Sequence, residues 1–172
     1  TEWYLAPCVD YMPDYMEVYA DGFLVDTYTG GFDESNTSAY KALTGVADGS
    51  EAKPYLINNL EELKAFRDAV NAGNSYSRKY VKLNADIDLA NEEWTPIGNS
   101  ANKFSGTFDG GNHTVSNLKI TGSNNDVGLF GFTTNGMVKN PCIHNANVSG
   151  RLKVGVIAGT PYTSEYANIK VT

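Results

Sequence analysis

A short repeat in the second half of the chain is the feature that most limits its possible folds. The pattern Asn-x-x-Ile, or a close variant, begins at Asn117, Asn140 and Asn168, so the offsets between successive copies are 23 and 28. Two valine-glycine boxes, residues 127–131 and 154–159, alternate with these copies, and their starting positions have an offset of 27. Such a period is typical of solenoids, in which one unit cannot bury its apolar face alone and stacks on its neighbours.

The segments of this repeat are short, rich in β-branched residues and separated by glycine, with no helical pattern between them. They favour a parallel β-solenoid over a helical repeat. We therefore expect Ile120, Ile143 and Val171 to stack in one inward file. The asparagines at the start of each copy should form one ladder, in which the side-chain amides bond from unit to unit.

A helix is predicted just before the repeat. Asn58 or Asn59 is a suitable N-cap, and Glu61 and Glu62 follow in the first turn, where the helix dipole favours carboxylates. One face is apolar and Gly73 ends the pattern. The apolar residues of that face are Leu60, Leu63, Phe66, Ala69 and Val70. Such a helix can cap the first unit of a solenoid, whose apolar cross-section and strand edge need covering.

The ordered boxes of residues 48–172 resemble those of the GLUG-repeat family of bacterial surface or secreted, adhesin-like proteins. The family takes its name from a Gly-Leu-x-Gly box, which reads GLFG at residues 128–131. The box WTPIG at residues 94–98, and the helix and strand before it, also match the family's usual order. The resemblance implies a right-handed parallel β-helix without a shared catalytic centre. The chain departs from the family pattern at Pro141 and Cys142, and its second box, residues 154–159, lacks the Leu-Phe pair.

Residues 1–47 form a separate, aromatic-rich region in this interpretation. Asp21-Gly22 lies between two β-rich runs, which indicates a hairpin with a type I′ turn. The chain ends at Thr172 inside or just after a repeat strand, without a closing helix, and begins at Thr1 without a signal peptide. We interpret it as part of a longer parent chain, truncated at the C-terminus and joined to further domains.

Charge argues against several classes of partner. The net charge is −7, with 13 basic residues that form no cluster, so nucleic-acid binding is not expected. No apolar run reaches the roughly 18 residues that a membrane-spanning helix needs. Cys8 and Cys142 are too few for a disulfide framework, and we favour two buried thiols over a pair.

Catalytic and metal sites are not predicted. Asp86 and Asp88 alternate with inward apolar residues on a strand expected over residues 81–89, so both should face solvent. Asp109 opens a Gly-rich turn that superficially resembles a calcium loop, although the repeated nonapeptide of such loops is absent. His113 and His144 lack companions at zinc-ligand spacing. We therefore expect no cofactor and no metal, while calcium binding by the three aspartates stays open.

Aromatic rings near amides suit sugar or peptide faces, so Trp3, Tyr4 and Tyr28 are the candidate ligand-binding residues, although core packing of the hairpin is the favoured interpretation of the aromatic residues in this region. The favoured function is a non-catalytic, adhesin-like module of a bacterial cell-surface or secreted protein, with carbohydrate or a host surface protein as partner. The location is extracellular or the bacterial cell surface. The alternatives are a fragment of a polysaccharide-degrading parallel β-helix enzyme and a purely structural stalk.

Overall fold

The computed structural model describes residues 15–20, 23–29 and 47–172. The chain divides into two compact units, Thr1–Asp48 and Gly49–Thr172. In the first unit, β1 (Tyr15–Ala20) pairs antiparallel with β2 (Phe23–Thr29), and a bulge interrupts the register between Val18 and Tyr19. The pairing of Ala20 with Phe23 agrees with the predicted hairpin. The two linking residues lie outside the described part of the chain.

The second unit consists of short strands and one helix, α1 (Leu60–Asn71). The strands, in chain order, are β3 (Tyr55–Ile57), β4 (Tyr80–Leu83), β5 (Ile87–Asp88), β6 (Thr107–Asp109), β7 (Thr114–Ser116), β8 (Lys119–Ile120), β9 (Asn125–Val127), β10 (Phe130–Thr134), β11 (Met137–Lys139), β12 (Cys142–His144), β13 (Asn147–Val148), β14 (Leu152–Val154), β15 (Ala158–Tyr162), β16 (Glu165–Ala167) and β17 (Lys170–Val171).

All strand pairs of this unit are parallel. The largest sheet has the order β16-β11-β6-β4-β3, and the next has the order β17-β12-β7-β5. Three two-stranded pairs complete the arrangement, namely β10 with β15, β8 with β13, and β9 with β14. Thr114 lies beside Cys142, which lies beside Lys170, and hydrogen-bonded side chains on successive strands are commonly 28 residues apart.

The predicted inward stack of Ile120, Ile143 and Val171 is partly wrong. Ile143 and Val171 are cross-strand neighbours as expected, but the file continues through Val115. Ile120 belongs to a different pair of strands, where its neighbour is Val148. The reason is that the Asn-x-x-Ile pattern marks two different strands within one repeat. The shorter offset, 23 residues from Asn117 to Asn140, therefore separates two different strand positions and is not the length of a repeat.

The asparagine ladder divides in the same way. Asn168 Nδ2 donates to Asn140 Oδ1 at 2.9 Å, as predicted. Asn117 belongs to a second ladder, in which Asn145 Nδ2 donates to Asn117 Oδ1 at 2.6 Å. Each ladder begins with a carboxylate, since Asn140 donates to Asp109 at 2.9 Å and Asn117 donates to Asp88 at 2.8 Å.

Helix α1 has the predicted position, N-cap and apolar face. Asn59 is the N-cap, and its side chain accepts a hydrogen bond from Glu62 N at 2.9 Å. Leu63, Phe66 and Val70 are buried, and Leu60 and Ala69 are partly buried against the core. The Phe66 ring lies 5.6 Å from that of Phe104 and 6.0 Å from that of Phe108, measured between centroids. The helix therefore packs its apolar face directly onto the aromatic centre of the strand region.

The strand predicted over residues 81–89 is interrupted. It forms β4 and β5, which belong to two different sheets, so the chain turns between Leu83 and Ile87. The alternation of buried and exposed side chains nevertheless continues across the turn, because Val81, Leu83, Ile87 and Leu89 are all buried. Alternation of apolar residues indicates which face is inward but does not show where a sheet ends.

Three glycine-containing boxes pair with one another in chain order. Ile97 of the WTPIG box bridges to Phe130 of the GLFG box, and Phe130 pairs with Ala158 of the second valine-glycine box. Gly98 has φ +79°, and a Cβ atom there would lie 2.5 Å from the carbonyl oxygen of Phe132. Glycine is therefore required at this position both by conformation and by the close approach of the next strand.

Candidate functional surfaces

The three predicted ligand-binding residues remain predictions. Trp3 and Tyr4 lie outside the described residues. The backbone of Tyr28 lies in β2 opposite Met16, but its side chain is not described. Cys8 also lies outside the described part, whereas Cys142 is half-buried and has no disulfide partner among the described residues.

Asp86 and Asp88 are exposed on the outer surface, as predicted. Asp86 accepts hydrogen bonds from Thr114 N at 2.8 Å and from His113 Nδ1, when protonated there, at 3.2 Å. The backbone bond from Thr114 is the main reason that the pKa of Asp86 is lowered. Asn117 donates to Asp88, and this bond together with one from Ala90 N lowers the pKa of Asp88. Both carboxylates thus anchor the neighbouring strand.

Asp109 has a comparable structural role. Its Oδ1 accepts from Gly111 N and from Asn140 Nδ2, each at 2.9 Å, and Lys139 Nζ lies 3.5 Å from Oδ2. Partial burial opposes ionisation, but these bonds outweigh it and the pKa of Asp109 is lowered. The predicted turn is formed by Gly111 and Asn112, with φ of +59° and +61°. The carboxylate stabilises the turn and starts an asparagine ladder.

The histidines contact different partners. His113 lies beside Asp86, while His144 Nδ1 lies 3.1 Å from Thr172 Oγ1. Among the described residues, no three His, Cys, Asp or Glu side chains come together in a group that could hold a metal ion. Every buried side-chain nitrogen and oxygen atom in this part of the chain also has a hydrogen-bond partner.

One outer surface, which we call the polar face, covers β5, β7, β12 and β17. Asp88, Ser116 and His144 form one cross-strand row, and Thr114, Cys142 and Lys170 form a second. Because neighbouring strands are about 4.8 Å apart, these side chains repeat at that spacing. The face changes from acidic at β5, which lies beside Asp86 and contains Asp88, to basic at Lys170 on β17.

A second outer surface, which we call the Tyr80 groove, covers β4, β6, β11 and β16. It is lined by a single cross-strand row consisting of Tyr80, Thr107, Met137 and Glu165. Arg78 and Asn135 also line it, together with small and hydroxyl-bearing residues. Asn135 Oδ1 accepts a 2.6 Å hydrogen bond from Thr163 Oγ1 in the next repeat. The groove thus combines an aromatic ring with amide, hydroxyl, guanidinium and carboxylate groups.

Sequence reasoning did not identify this groove, although part of the signal was present. Tyr80 precedes Val81 in the alternating pattern, so it must point away from the core like Lys82. The alignment with Glu165 could not be deduced, because it depends on the register of three successive strand pairs.

Comparisons with known proteins give partial likenesses. Halomucin of Haloquadratum walsbyi is 37% identical over 150 residues, a match that covers 79% of this chain and 2% of halomucin. A putative Gly-rich membrane protein of Evansella cellulosilytica is 31% identical over 96 residues, covering 54% of this chain and 11% of that protein. The chain therefore spans only a small part of the length of either relative.

No family model matches the chain, and no solved structure matches it significantly. No helix in the described part of the chain is long and apolar enough to cross a membrane.

Proposed function

We propose that residues 49–172 form a right-handed parallel β-helix of the GLUG-repeat type. Its support is the parallel pairing of every sheet at a repeat of about 28 residues. A right-handed sense is favoured because crossovers between parallel strands have that hand in about 98% of cases. The stacking of Ile97 on Phe130 and of Phe130 on Ala158 gives the signature boxes one common structural role.

This module displays a stiff binding surface and has no catalytic function. The observation that carries the proposal is the cross-strand row from Tyr80 to Glu165, whose side chains are held at strand spacing by the parallel register. The carboxylates Asp86, Asp88 and Asp109 are engaged in hydrogen bonds that hold adjacent repeats. Those bonds favour a structural role for these groups over acid-base chemistry.

The module belongs to a cell-surface or secreted protein and acts in adhesion. The names of its relatives, a halomucin and a putative Gly-rich membrane protein, support a location outside the cell or at its surface. The relatives are much longer than this chain, which supports a parent protein with further domains. Carbohydrate is the preferred ligand, because a planar tyrosine ring with adjacent amide and charged groups suits a sugar face.

The test is a panel of acidic and neutral polysaccharides and host matrix proteins, assayed for binding and for turnover. We expect saturable binding without turnover, weakened at least about tenfold by Tyr80→Ala, which corresponds to the loss of about 1.4 kcal/mol. Tyr162→Ala is the matched control, because Tyr162 is 62% exposed but is not in the groove. Comparing Trp3→Ala, Tyr4→Ala and Tyr28→Ala in the same assay tests the aromatic residues of the first unit.

Two results would contradict the binding proposal. Saturable turnover that Asp86→Asn or Asp109→Asn abolishes would identify an enzyme. The absence of both binding and turnover across the panel would favour a structural stalk.

A further inference from the structure

Arg78 differs from the other two arginines in having no partner within the described part of the chain. Arg67 Nε donates to Asp68 at 2.7 Å, and Arg151 Nε donates to Asn125 at 3.3 Å. Arg78 is exposed and lines the groove, and no acceptor among the described residues reaches its side chain. Its guanidinium donors are therefore available to a ligand.

The backbone holds Arg78 in a conformation that its side chain does not favour. Residues 76–79 form a β-turn, closed by a hydrogen bond from Lys79 N to Tyr76 O at 2.9 Å. Arg78 is the third residue of this turn and has φ +60°. Glycine or asparagine usually supplies a positive φ at that position, and a bulky side chain there is strained. Because backbone strain of this kind clusters at ligand sites, the turn points to a binding role for Arg78.

The turn is fixed to the rest of the second unit on both sides. The Tyr76 ring is buried, and its centroid lies 5.0 Å from that of Phe66 on α1. Thr107 N, at the start of β6, donates to Lys79 O at 2.8 Å. The position of Arg78 in the groove is therefore set before a ligand binds, which lowers the entropy cost of binding.

We propose that the Tyr80 groove binds an acidic polysaccharide, with a sugar carboxylate at Arg78 and the same sugar ring over Tyr80. The inference rests on the carbohydrate binding proposed above and names its ligand class. A guanidinium binds a carboxylate through two parallel N–H···O bonds, and a tyrosine ring suits the apolar face of a sugar. Arg78 and Tyr80 are two residues apart and line one surface, so a single uronic acid unit contacts both. Thr107 and Asn135 supply hydroxyl and amide groups for the adjoining units.

The charges around the groove allow an anion to bind, although the chain has a net charge of −7. Among the described residues, Glu165 is the one acidic residue that lines the groove, and it lies three strands from Tyr80, about 14 Å along the row. Charges at that distance are largely screened at physiological ionic strength, where the Debye length is about 8 Å. Asp109, also on β6, lies 3.5 Å from Lys139 Nζ, and this ion pair offsets its charge.

The first experiment compares ligands that differ only in charge. Alginate, polygalacturonate and hyaluronan are each titrated into the native chain beside their methyl-esterified forms, in which the carboxylates are neutral. We expect at least one of the three to bind at least about tenfold more tightly than its ester, the scale of one charge-assisted hydrogen bond. Equal binding of each polymer and its ester would overturn the inference and leave carbohydrate binding intact. Binding to none of these polymers, and to no neutral polysaccharide, would mean that the proposed function itself has failed.

Arg78→Asn separates binding from folding, because asparagine tolerates a positive φ. We expect this variant to bind the preferred acidic polymer at least about tenfold more weakly and to have an equal or higher melting temperature. Arg78→Lys keeps the charge but loses the paired donors, so its affinity should lie between the two. Arg151→Asn is the matched control, since it removes the same charge outside the groove and should leave binding unchanged.

Three results with these variants contradict the inference. Equal affinity of Arg78→Asn and the native chain would show that Arg78 does not contact the ligand. An equal loss of affinity in Arg151→Asn would reveal a general effect of charge. A lower melting temperature of Arg78→Asn, accompanied by weaker binding of the methyl esters, would assign Arg78 a structural role. Dextran sulfate distinguishes the other source of negative charge, because tighter binding of it than of any uronic acid polymer would assign the site to a sulfate ester and overturn the carboxylate assignment.

Discussion

Asparagines with positive φ connect the repeats at the level of single residues. Asn117, Asn140, Asn145 and Asn168 have φ between 53° and 59°. Most side chains are strained in this left-handed region, but asparagine tolerates it better than most. The same carboxamide bonds to the residue one repeat away. One residue type therefore allows the turn and holds the adjacent strand.

Substitutions of Asn140 separate the contribution of the left-handed backbone conformation from that of the ladder hydrogen bonds. Asn140→Ala loses the bonds to Asp109 and Asn168 and also strains the backbone, so we expect a loss of about 2–4 kcal/mol in unfolding free energy. Asn140→Gly relieves the strain but loses the same bonds, and should cost about 1–2 kcal/mol. The control is Asn147→Ala on the exposed surface of β13. Equal urea midpoints for all three variants would contradict the role of the ladder.

The lowered pKa values of four carboxylates in the second unit predict that the fold loses stability in acid. Hydrogen bonds lower the pKa of Asp86, Asp88, Glu93 and Asp109 in the folded chain. Because these pKa values are lower in the folded chain than in the unfolded chain, the unfolded chain binds protons first as the pH falls. The ionised carboxylates therefore stabilise the fold above their unfolded pKa values, near 3.8 for aspartate, and this stabilisation is lost as the pH falls below those values. We expect a constant melting temperature between about pH 7 and 5 and a steep fall below about 4.

Asp109→Asn is the variant that tests this pH dependence. Its melting temperature should be lower than that of the native chain at pH 7, and the difference should narrow as the pH falls through the aspartate range. Glu51→Gln, an exposed substitution, is the control and should leave the pH profile unchanged. A difference for Asp109→Asn that stays constant down to pH 2 would show that ionisation of this carboxylate does not stabilise the fold.

At the scale of elements, helix α1 was predictable because its signals are local. The N-cap, the acidic first turn and the one-sided apolar pattern all lie within fifteen residues, and all agree with the structure. The strand registers were not predictable, because pairing depends on residues in other repeats. The WTPIG and GLFG boxes were recognised as motifs, but that Ile97 stacks on Phe130 could be learned only from the structure.

The helix prediction is tested with Leu63, which is fully buried. Leu63→Asp places a carboxylate in the apolar contact between α1 and the strands. We expect the free energy of unfolding to fall by about 2–5 kcal/mol or more. Ala65→Asp introduces the same group on the exposed face of the same helix and should cost less than about 1 kcal/mol. A shift of only a degree or two in the melting temperature of Leu63→Asp would refute a capping role for α1.

At the scale of the whole second unit, the core is a stack of apolar files between parallel strands. Phe104 and Phe108 both contact Phe130, with ring centroids 5.4 and 5.2 Å apart, and all three are fully buried. The sequence indicated such a stack through its period but assigned one neighbour wrongly, since Ile120 pairs with Val148. The outer rows, including the Tyr80 groove, follow directly from the corrected register.

Cysteine cross-linking tests that register most directly, in a Cys8→Ser background that keeps the native Cys142. Thr114 and Cys142 are neighbours on adjacent strands, about 4.8 Å apart, which suits a disulfide. In the register suggested by Asn117 and Asn140, Cys142 would instead lie beside Lys119. We predict that Thr114→Cys links to Cys142 under mild oxidation and that Lys119→Cys does not. A link from Lys119→Cys, with none from Thr114→Cys, would contradict the parallel stack in this register.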